Sequence, residues 1–206
     1  MPAALSLDLE IRRGETFALA VRWETEPWQY APIASISQTA PVRINTVSPH
    51  NIPNGWSVAV VGAKGLADLN AASNPPRRAD MRRATVVNAT AIEFNEISAT
   101  DFGAHRSTTG YLAWLTPQPL TGYTARMQIR DRPGGAVLHS MTSDVGGGIL
   151  LDDVEKVIDL SIAASTTERF SWSSGQYDLE LVSQAGRVTA LLEGAVLMKT
   201  EITTAP

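Results

Sequence analysis

The chain has no cysteine at any of its 206 positions. That excludes a disulfide framework, a thiolate metal site and a cysteine nucleophile, and it leaves the redox compartment unread. Charge is sparse: 18% of residues carry one, the net charge is −4 and the pI is near 5.4. Nucleic-acid proteins usually carry a basic face, so no nucleic-acid partner is expected. Histidine occurs only as His50, His105 and His139. These lie in different segments, without the i,i+4 spacing of a helical zinc pair, and read as surface or turn residues; His50 is expected to bond to local backbone. Neither a metal nor a cofactor is expected. No run approaches the ~20 apolar residues that cross a bilayer, so membrane insertion is not expected. The opening stretch, Met1 to Glu15, lacks both a basic start and a long apolar run. The chain is therefore expected to be soluble as synthesised and without a Sec-type signal. An extracellular role would need another exit, such as release of a particle.

Catalytic motifs are missing as well. There is no Gly-x-Ser-x-Gly elbow for a serine hydrolase. Gly146-Gly147-Gly148 is not followed by Lys-Ser/Thr, so it reads as a turn and not as a phosphate loop. Asp152-Asp153 with Glu155 is the best carboxylate group. Neighbours in a strand face opposite ways, and the calcium-loop pattern is absent, so a solvated turn is the expectation. Asn88-Ala89-Thr90 matches a glycosylation sequon, read as a chance match in a turn.

What is present is apolar alternation, in a chain that is 44% hydrophobic. Leu5, Leu7, Leu9 and Ile11 alternate with polar residues, and Phe17, Leu19 and Val21 follow after the turn Arg13-Gly14-Glu15. Period-2 alternation marks half-buried strands. Glu24 to Pro32 reads as a loop holding Trp28 and Tyr30. From Ile33 to Trp114 the texture changes to short strands between dense turn signals, such as Asn54-Gly55, which suits a small barrel or sandwich. Within this block, Ala71 to Arg83 reads as a polar loop and Ser98 to Phe102 as one helical or 3₁₀ turn. Tyr123, Ala125, Met127 and Ile129 restore the first texture, and Ile162 to Arg169 is the one plausible short helix. The chain closes on a hairpin: Tyr177, Leu179 and Leu181 alternate, Gln184-Ala185-Gly186 turns, and Arg187 to Ile202 returns as one long strand or one bent at Gly194. Two strands bury no face alone, so this hairpin needs partners from elsewhere. The fold class expected is all-β: one β-domain over residues 1–31 and 116–206, interrupted by a smaller one over 32–115.

Both parts carry a resemblance. Arg13-Gly14-Glu15-Thr16-Phe17, Leu120 to Arg130, Gly147-Gly148-Ile149, Tyr177 to Leu181, Gly186-Arg187-Val188, Leu191-Leu192-Glu193-Gly194 and Glu201-Ile202-Thr203 resemble the immunoglobulin-like N-terminal domain of phage baseplate upper proteins. That family places these elements in this order on one β-sandwich. Ile33 to Ile36, His50 to Gly55, Val58 to Val61, Gly65 with Leu69-Asn70, Ala84 to Thr90 and Tyr111-Leu112 resemble the small β-barrel of the first catalytic-cysteine half-domain of ubiquitin-activating enzymes. Without cysteine, no thioester chemistry carries over. The resemblance implies an Ig-like sandwich interrupted by a small barrel. It also implies a non-enzymatic virion protein of a phage tail, in the baseplate, tail tip or fibre-attachment region, assembled in the host cytoplasm. Its partners would be other phage structural proteins and further copies of itself around a symmetry axis. Two alternatives stand beside this reading: a carbohydrate-binding module that recognises a host-surface glycan, and a capsid-decorating or head-fibre protein.

The candidate contact residues are few. Arg77, Arg78, Arg82 and Arg83 form the one basic cluster, beside Pro75-Pro76. They could meet an acidic partner, a lipopolysaccharide phosphate or nucleic acid, but no aromatic is interleaved for base stacking, and a solvated loop is an equal reading. Trp28 and Tyr30 are the aromatics placed for a glycan platform, with Trp28 also placed to pack at the domain junction. Core packing is the expectation for the other tryptophans, Trp23, Trp56, Trp114 and Trp172.

Overall fold

The structure is a computed structural model that describes residues 4–200. In chain order the strands are β1 (Leu5–Ser6), β2 (Leu9–Arg12), β3 (Phe17–Val21), β4 (Glu24–Ile36), β5 (Val42–Thr46), β6 (Ser57–Val61), β7 (Arg82–Arg83) and β8 (Thr85–Asn88). There follow β9 (Ala91–Phe94), β10 (Tyr111–Pro117), β11 (Tyr123–Arg130), β12 (Val137–Thr142), β13 (Ile149–Asp152), β14 (Val157–Ile162), β15 (Ser174–Ser183) and β16 (Val188–Lys199). A single short helix, α1 (Ala164–Thr167), is present among the described residues. The protein is all-β, a sandwich with a nearly closed barrel-like part.

The chain divides into two compact units. One comprises the residues up to Trp23 together with those from Pro119 onward; the other is Glu24–Gln118. In the first unit, one sheet runs β1-β16-β15-β11-β12, with β2 also on β16, and a second sheet runs β13-β14-β3. The alternation explains it. Ala125, Met127 and Ile129 of β11 and Tyr177, Leu179 and Leu181 of β15 are buried, while the residues between them face outward. They pack with Leu9, Ile11, Ile158 and Leu160 into one core. The closing hairpin is therefore central to its sheet, not an edge. At its outer side β1 and β2 lie parallel to β16.

The second unit is a seven-stranded sheet in the order β7-β6-β10-β4-β5-β9-β8. Its two end strands are consecutive in sequence, joined through Ala84 alone. The Ala84 N–H donates to the Trp56 carbonyl at 2.9 Å, and its carbonyl accepts from the Gly55 N–H at 2.8 Å. These bonds bring the ends together and nearly close the sheet around Ile33, Ile44, Trp56, Ile92 and Leu112.

Several sequence expectations are corrected. Residues 24–32 are not a loop: β4 is one strand of 13 residues from Glu24 to Ile36. The Pro27 signal misreads because the ladder with β10 skips it. Leu115 pairs with Trp28 and Thr116 with Thr25, so Glu26 and Pro27 sit in a bulge where proline needs no donor. The unit boundaries consequently fall at Trp23/Glu24 and Gln118/Pro119, outside residues 32 and 115. Residues 71–83 are not all loop either, since Arg78–Asp80 forms a 3₁₀ turn and Arg82–Arg83 pairs with Ser57 and Val58. Ser98 to Phe102 does hold one turn of the 3₁₀ type, with the Phe102 N–H donating to the Ala99 carbonyl at 3.2 Å. The long final strand runs unbroken through Gly194 to Lys199; Glu201-Ile202-Thr203 lie outside the described residues.

Candidate functional site

The arginine cluster does not converge. Arg77, Arg78, Arg82 and Arg83 are all exposed. Arg82 and Arg83 are neighbours on a strand and so point to opposite faces. Arg82 folds back onto the Ala79 and Met81 carbonyls at 2.9 and 3.1 Å, and the backbone N–H of Arg77 is taken by Asp80. A shallow cleft of about 120 Å³ beside Arg82 and Arg83 is walled by residues 94–97.

Trp28 and Tyr30 share one face of β4, two positions apart. Trp28 is half-buried, Tyr30 is 42% exposed, and Tyr111 on the neighbouring strand is 48% exposed. The Tyr30 hydroxyl donates to Asn74 Oδ1 at 2.7 Å, and its ring meets Tyr111 edge-on, 6.4 Å between centroids at 89°. Perpendicular rings make a corner, not the flat platform a sugar face stacks on.

The histidines act singly. His50 is buried; its Nδ1 accepts from the Ile52 N–H at 3.0 Å, which leaves Nε2 to donate to the Asn88 carbonyl at 3.1 Å. Burial pushes its pKa below the ordinary value, with the backbone bond to Asn88 working the other way. Burial also lowers His139, which lies against Phe170. His105 bonds to the Thr109 carbonyl. Among the described residues no three histidines or carboxylates gather as a cation would need.

The carboxylates at 152–155 are structural fasteners. Asp152 caps its own turn through the N–H groups of Val154 and Glu155. Asp153 accepts from Lys156 Nζ at 2.7 Å, the Thr121 hydroxyl at 2.6 Å and the Leu120 N–H at 2.6 Å. The Lys156 ammonium, then Thr121 and Leu120, hold its carboxyl well below the usual range. Three donors on one carboxylate stabilise its charged form and pin two turns of the sandwich together.

Sequence reasoning missed one concavity. It lies on the outer face of the five-strand path β1-β16-β15-β11-β12 and encloses about 850 Å³. Its floor is a set of cross-strand rows. In the central one Gln128 pairs with Asp178, Asp178 pairs with Glu193, and Glu193 pairs with Ser6. In a flanking row Arg126 bonds Glu180 at 2.7 Å. Arg130 is held by Gln128 Oε1 at 2.7 Å and the Gly135 carbonyl at 2.6 Å. The signal was in the alternation itself: the polar members of β11 and β15 read as a solvated face, and only the sheet order shows that they line up.

Nearby, Gly194 and Tyr177 fix the sheet edge. A Cβ on Gly194 would lie 2.3 Å from the Leu7 carbonyl oxygen, so only glycine lets the β1–β2 crossing lie so close. The Tyr177 hydroxyl donates to that same carbonyl at 2.7 Å. Burial, and then the nearby Asp8 charge, push the Tyr177 phenol up to about 12. No family model matches the chain, and no curated protein matches it.

Proposed function

We propose that the chain is a non-enzymatic structural component of a tailed-phage particle, an assembly adaptor in the tail tip, baseplate or fibre-attachment region. One observation carries the reading: the residues that resemble phage baseplate Ig-like domains serve as joints of the sandwich. The Arg13-Gly14-Glu15 turn receives the Thr167 hydroxyl at the Glu15 carbonyl, 2.8 Å away. Tyr177 and Gly194 seat the first strands on β16. Asp153 ties the turn before β11 to the turn after β13. A resemblance that rests on joints supports a shared Ig-like architecture and a scaffolding role.

The work of such a chain is contact. β12 ends one sheet of the sandwich, and β13 and β3 end the other. Edge strands offer rows of backbone donors and acceptors that a neighbouring chain can extend. Copies would sit around the particle axis, since virion substructures repeat by symmetry. The Arg77-to-Arg83 loop is the candidate contact for an acidic neighbour in the particle.

Peptide mass spectrometry of gradient-purified particles tests the reading. The chain is expected in intact virions in a fixed ratio to the tail-tube protein, and its absence would sink the proposal. Reconstruction of the same particles separates a tail position from the alternative of capsid decoration or a head fibre.

A further inference from the structure

The groove on the outer face of the β1-to-β12 sheet has a composition that an assembly role does not require. Its central row, Gln128, Asp178, Glu193 and Ser6, is polar on each of four neighbouring strands. Four strands at about 4.8 Å spacing give a row about 14 Å long. One end is a hydroxyl, the other an amide, with two carboxylates between, and all four side chains are at least partly open to solvent. The hairpin at Arg132, Pro133 and Gly134 forms one wall of the groove, which encloses about 850 Å³. That volume falls within the range of small-ligand clefts.

The bonding within the groove determines which groups are committed and which are open. Arg126 is neutralised by Glu180. Arg130 is held by Gln128 Oε1 and the Gly135 carbonyl, which fixes the Gln128 amide plane and leaves its NH₂ as a donor. Among the described residues Asp178 and Glu193 make no hydrogen bond through their side chains and no ion pair, although they stand directly opposite each other on adjacent strands. Like charges so placed disfavour the sheet, and donors from a ligand would relieve them. The groove therefore offers open acceptors beside a fixed donor, with cationic and anionic groups interleaved.

We propose that this groove binds a neutral oligosaccharide. Adjacent sugar hydroxyls present paired donors and acceptors that planar carboxylates and amides meet two at a time. Asp178 and Glu193 would accept from hydroxyls, and Gln128 and Ser6 would donate to ring or hydroxyl oxygens. An anionic polymer meets two open carboxylates at the centre of the floor, and a polycation meets Arg130, whose partners are neutral, at its side, so charge complementarity favours the neutral ligand. The site belongs to the sandwich, whereas Tyr30 of the other unit meets Tyr111 edge-on and bonds Asn74, which does not form a stacking surface. The inference stands apart from the assembly reading: a chain absent from virions could still bind a glycan here, and a virion protein could lack the activity.

The test is a glycan array probed with the full chain, covering neutral and acidic oligosaccharides at low and high salt, with hits quantified by calorimetry. Neutral oligosaccharides are expected to bind, with affinity unchanged by salt. Asp178→Asn with Glu193→Gln is expected to weaken binding by about tenfold or more, because the ligand's donors lose charged acceptors. Gln128→Ala should also weaken it, whereas Tyr30→Ala and Arg77→Ala should leave it unchanged. All these positions are on the surface, and an unchanged melting curve for each variant checks the fold. Four results overturn the proposal. They are a blank array, binding only to acidic glycans that salt abolishes, full binding by the Asp178/Glu193 double variant, and loss of binding in Tyr30→Ala.

Discussion

The two units solve the same problem, covering a β-sheet, in opposite ways. The sandwich covers one face of each sheet with the other sheet and leaves the outer faces wet. Its strands alternate accordingly, buried and exposed by turns along β11 and β15. The barrel curls one sheet almost shut and then wraps part of its outside as well. Val58, Ala59, Val60 and Val61 of β6 are all buried, as are Leu112, Ala113 and Trp114 of β10. The segment after Gly62 turns back and pairs along β6: the Ala71 N–H donates to the Val60 carbonyl beside a parallel bridge of Val60 with Asn70, and the Asn70 side chain bonds both the N–H and the carbonyl of Ala63. Both units depend on long-range strand pairing, β14 with β3 in the sandwich and β10 with β4 in the barrel, but only the barrel buries wall strands on both faces.

The largest break of this comparison is truncation. A chain ending at Ser173 loses β15 and β16, the centre of the larger sandwich sheet, and nothing from Glu24–Gln118. The sandwich is expected not to fold, while the barrel keeps a cooperative melting transition. Tryptophan fluorescence reads them separately, because Trp56 and Trp114 belong to the barrel core and Trp23 and Trp172 pack on the sandwich core. A retained sandwich transition would refute the split layout.

Next come glycines that hold close approaches, one per unit. Gly65 has φ +87°, and a Cβ there would sit 2.0 Å from the Ala104 carbonyl oxygen. Gly65→Ala combines backbone strain with backbone overlap and is expected to cost the barrel about 3 kcal/mol or more. Gly194→Ala meets only the overlap with Leu7 and is expected to cost the sandwich about 1–3 kcal/mol. Chemical denaturation followed by the tryptophans assigns each loss to its unit. Equal effects on both units from either change would contradict their independence.

Legibility in sequence follows the same divide. Alternation at Tyr177, Leu179 and Leu181, or at Ala125, Met127 and Ile129, specifies both a strand and its inner face, so the sandwich could be read directly. In the barrel the compact apolar run of β6 showed a strand without showing what covered it. Residues 24–32 misread because Pro27 signals a break, and only pairing with β10 reveals that the proline occupies a bulge. Arg82 and Arg83 read as a loop because a two-residue strand carries no period. His50 was legible as a turn residue bonded to backbone, because a histidine beside Asn51-Ile52-Pro53 has such groups at hand. The groove was not legible, because Gln128, Asp178 and Glu193 come from three strands and only the register aligns them.

Acid separates the units more gently. His50 is held neutral in the barrel, with its pKa lowered by burial. A histidine lowered in the folded state contributes stability that is full above its unfolded value of about 6.5 and is lost as pH falls toward the folded value. Barrel stability should therefore decline from about pH 6.5 downward, and His50→Gln should flatten that limb at some cost in stability at neutral pH. His139 gives the sandwich a limb of the same sign, but one resting on burial alone. The Asp153 contribution follows at lower pH: its carboxyl is depressed, so its stabilisation is present above the ordinary carboxylate range and lost below it. Urea midpoints across pH, read with each unit's tryptophans, check the order. A barrel midpoint flat from pH 7 to pH 5 would remove His50 from the account.

The smallest expected effect lies at the sandwich edge and runs with base, not acid. Tyr177 donates to the Leu7 carbonyl, and its phenol is pushed up to about 12 by burial and then by the Asp8 charge. The fold therefore favours the protonated phenol. The stabilisation is complete below the unfolded value of about 10 and is lost as pH rises through the folded one. Tyr177→Phe keeps the ring in the core and removes the hydroxyl, leaving the Leu7 carbonyl without this donor. A buried hydrogen bond of this kind contributes about 1 kcal/mol net. The variant is expected to melt slightly lower at neutral pH and to lose less stability than the parent between pH 10 and 12. The barrel transition should not move in either condition, since the bond ties β15 to the first strands of the sandwich. An unchanged alkaline limb in Tyr177→Phe would mean that another group sets it, and that the first strand is held on β16 by the Leu7 N–H, the Asp8 carboxylate and the ladder alone.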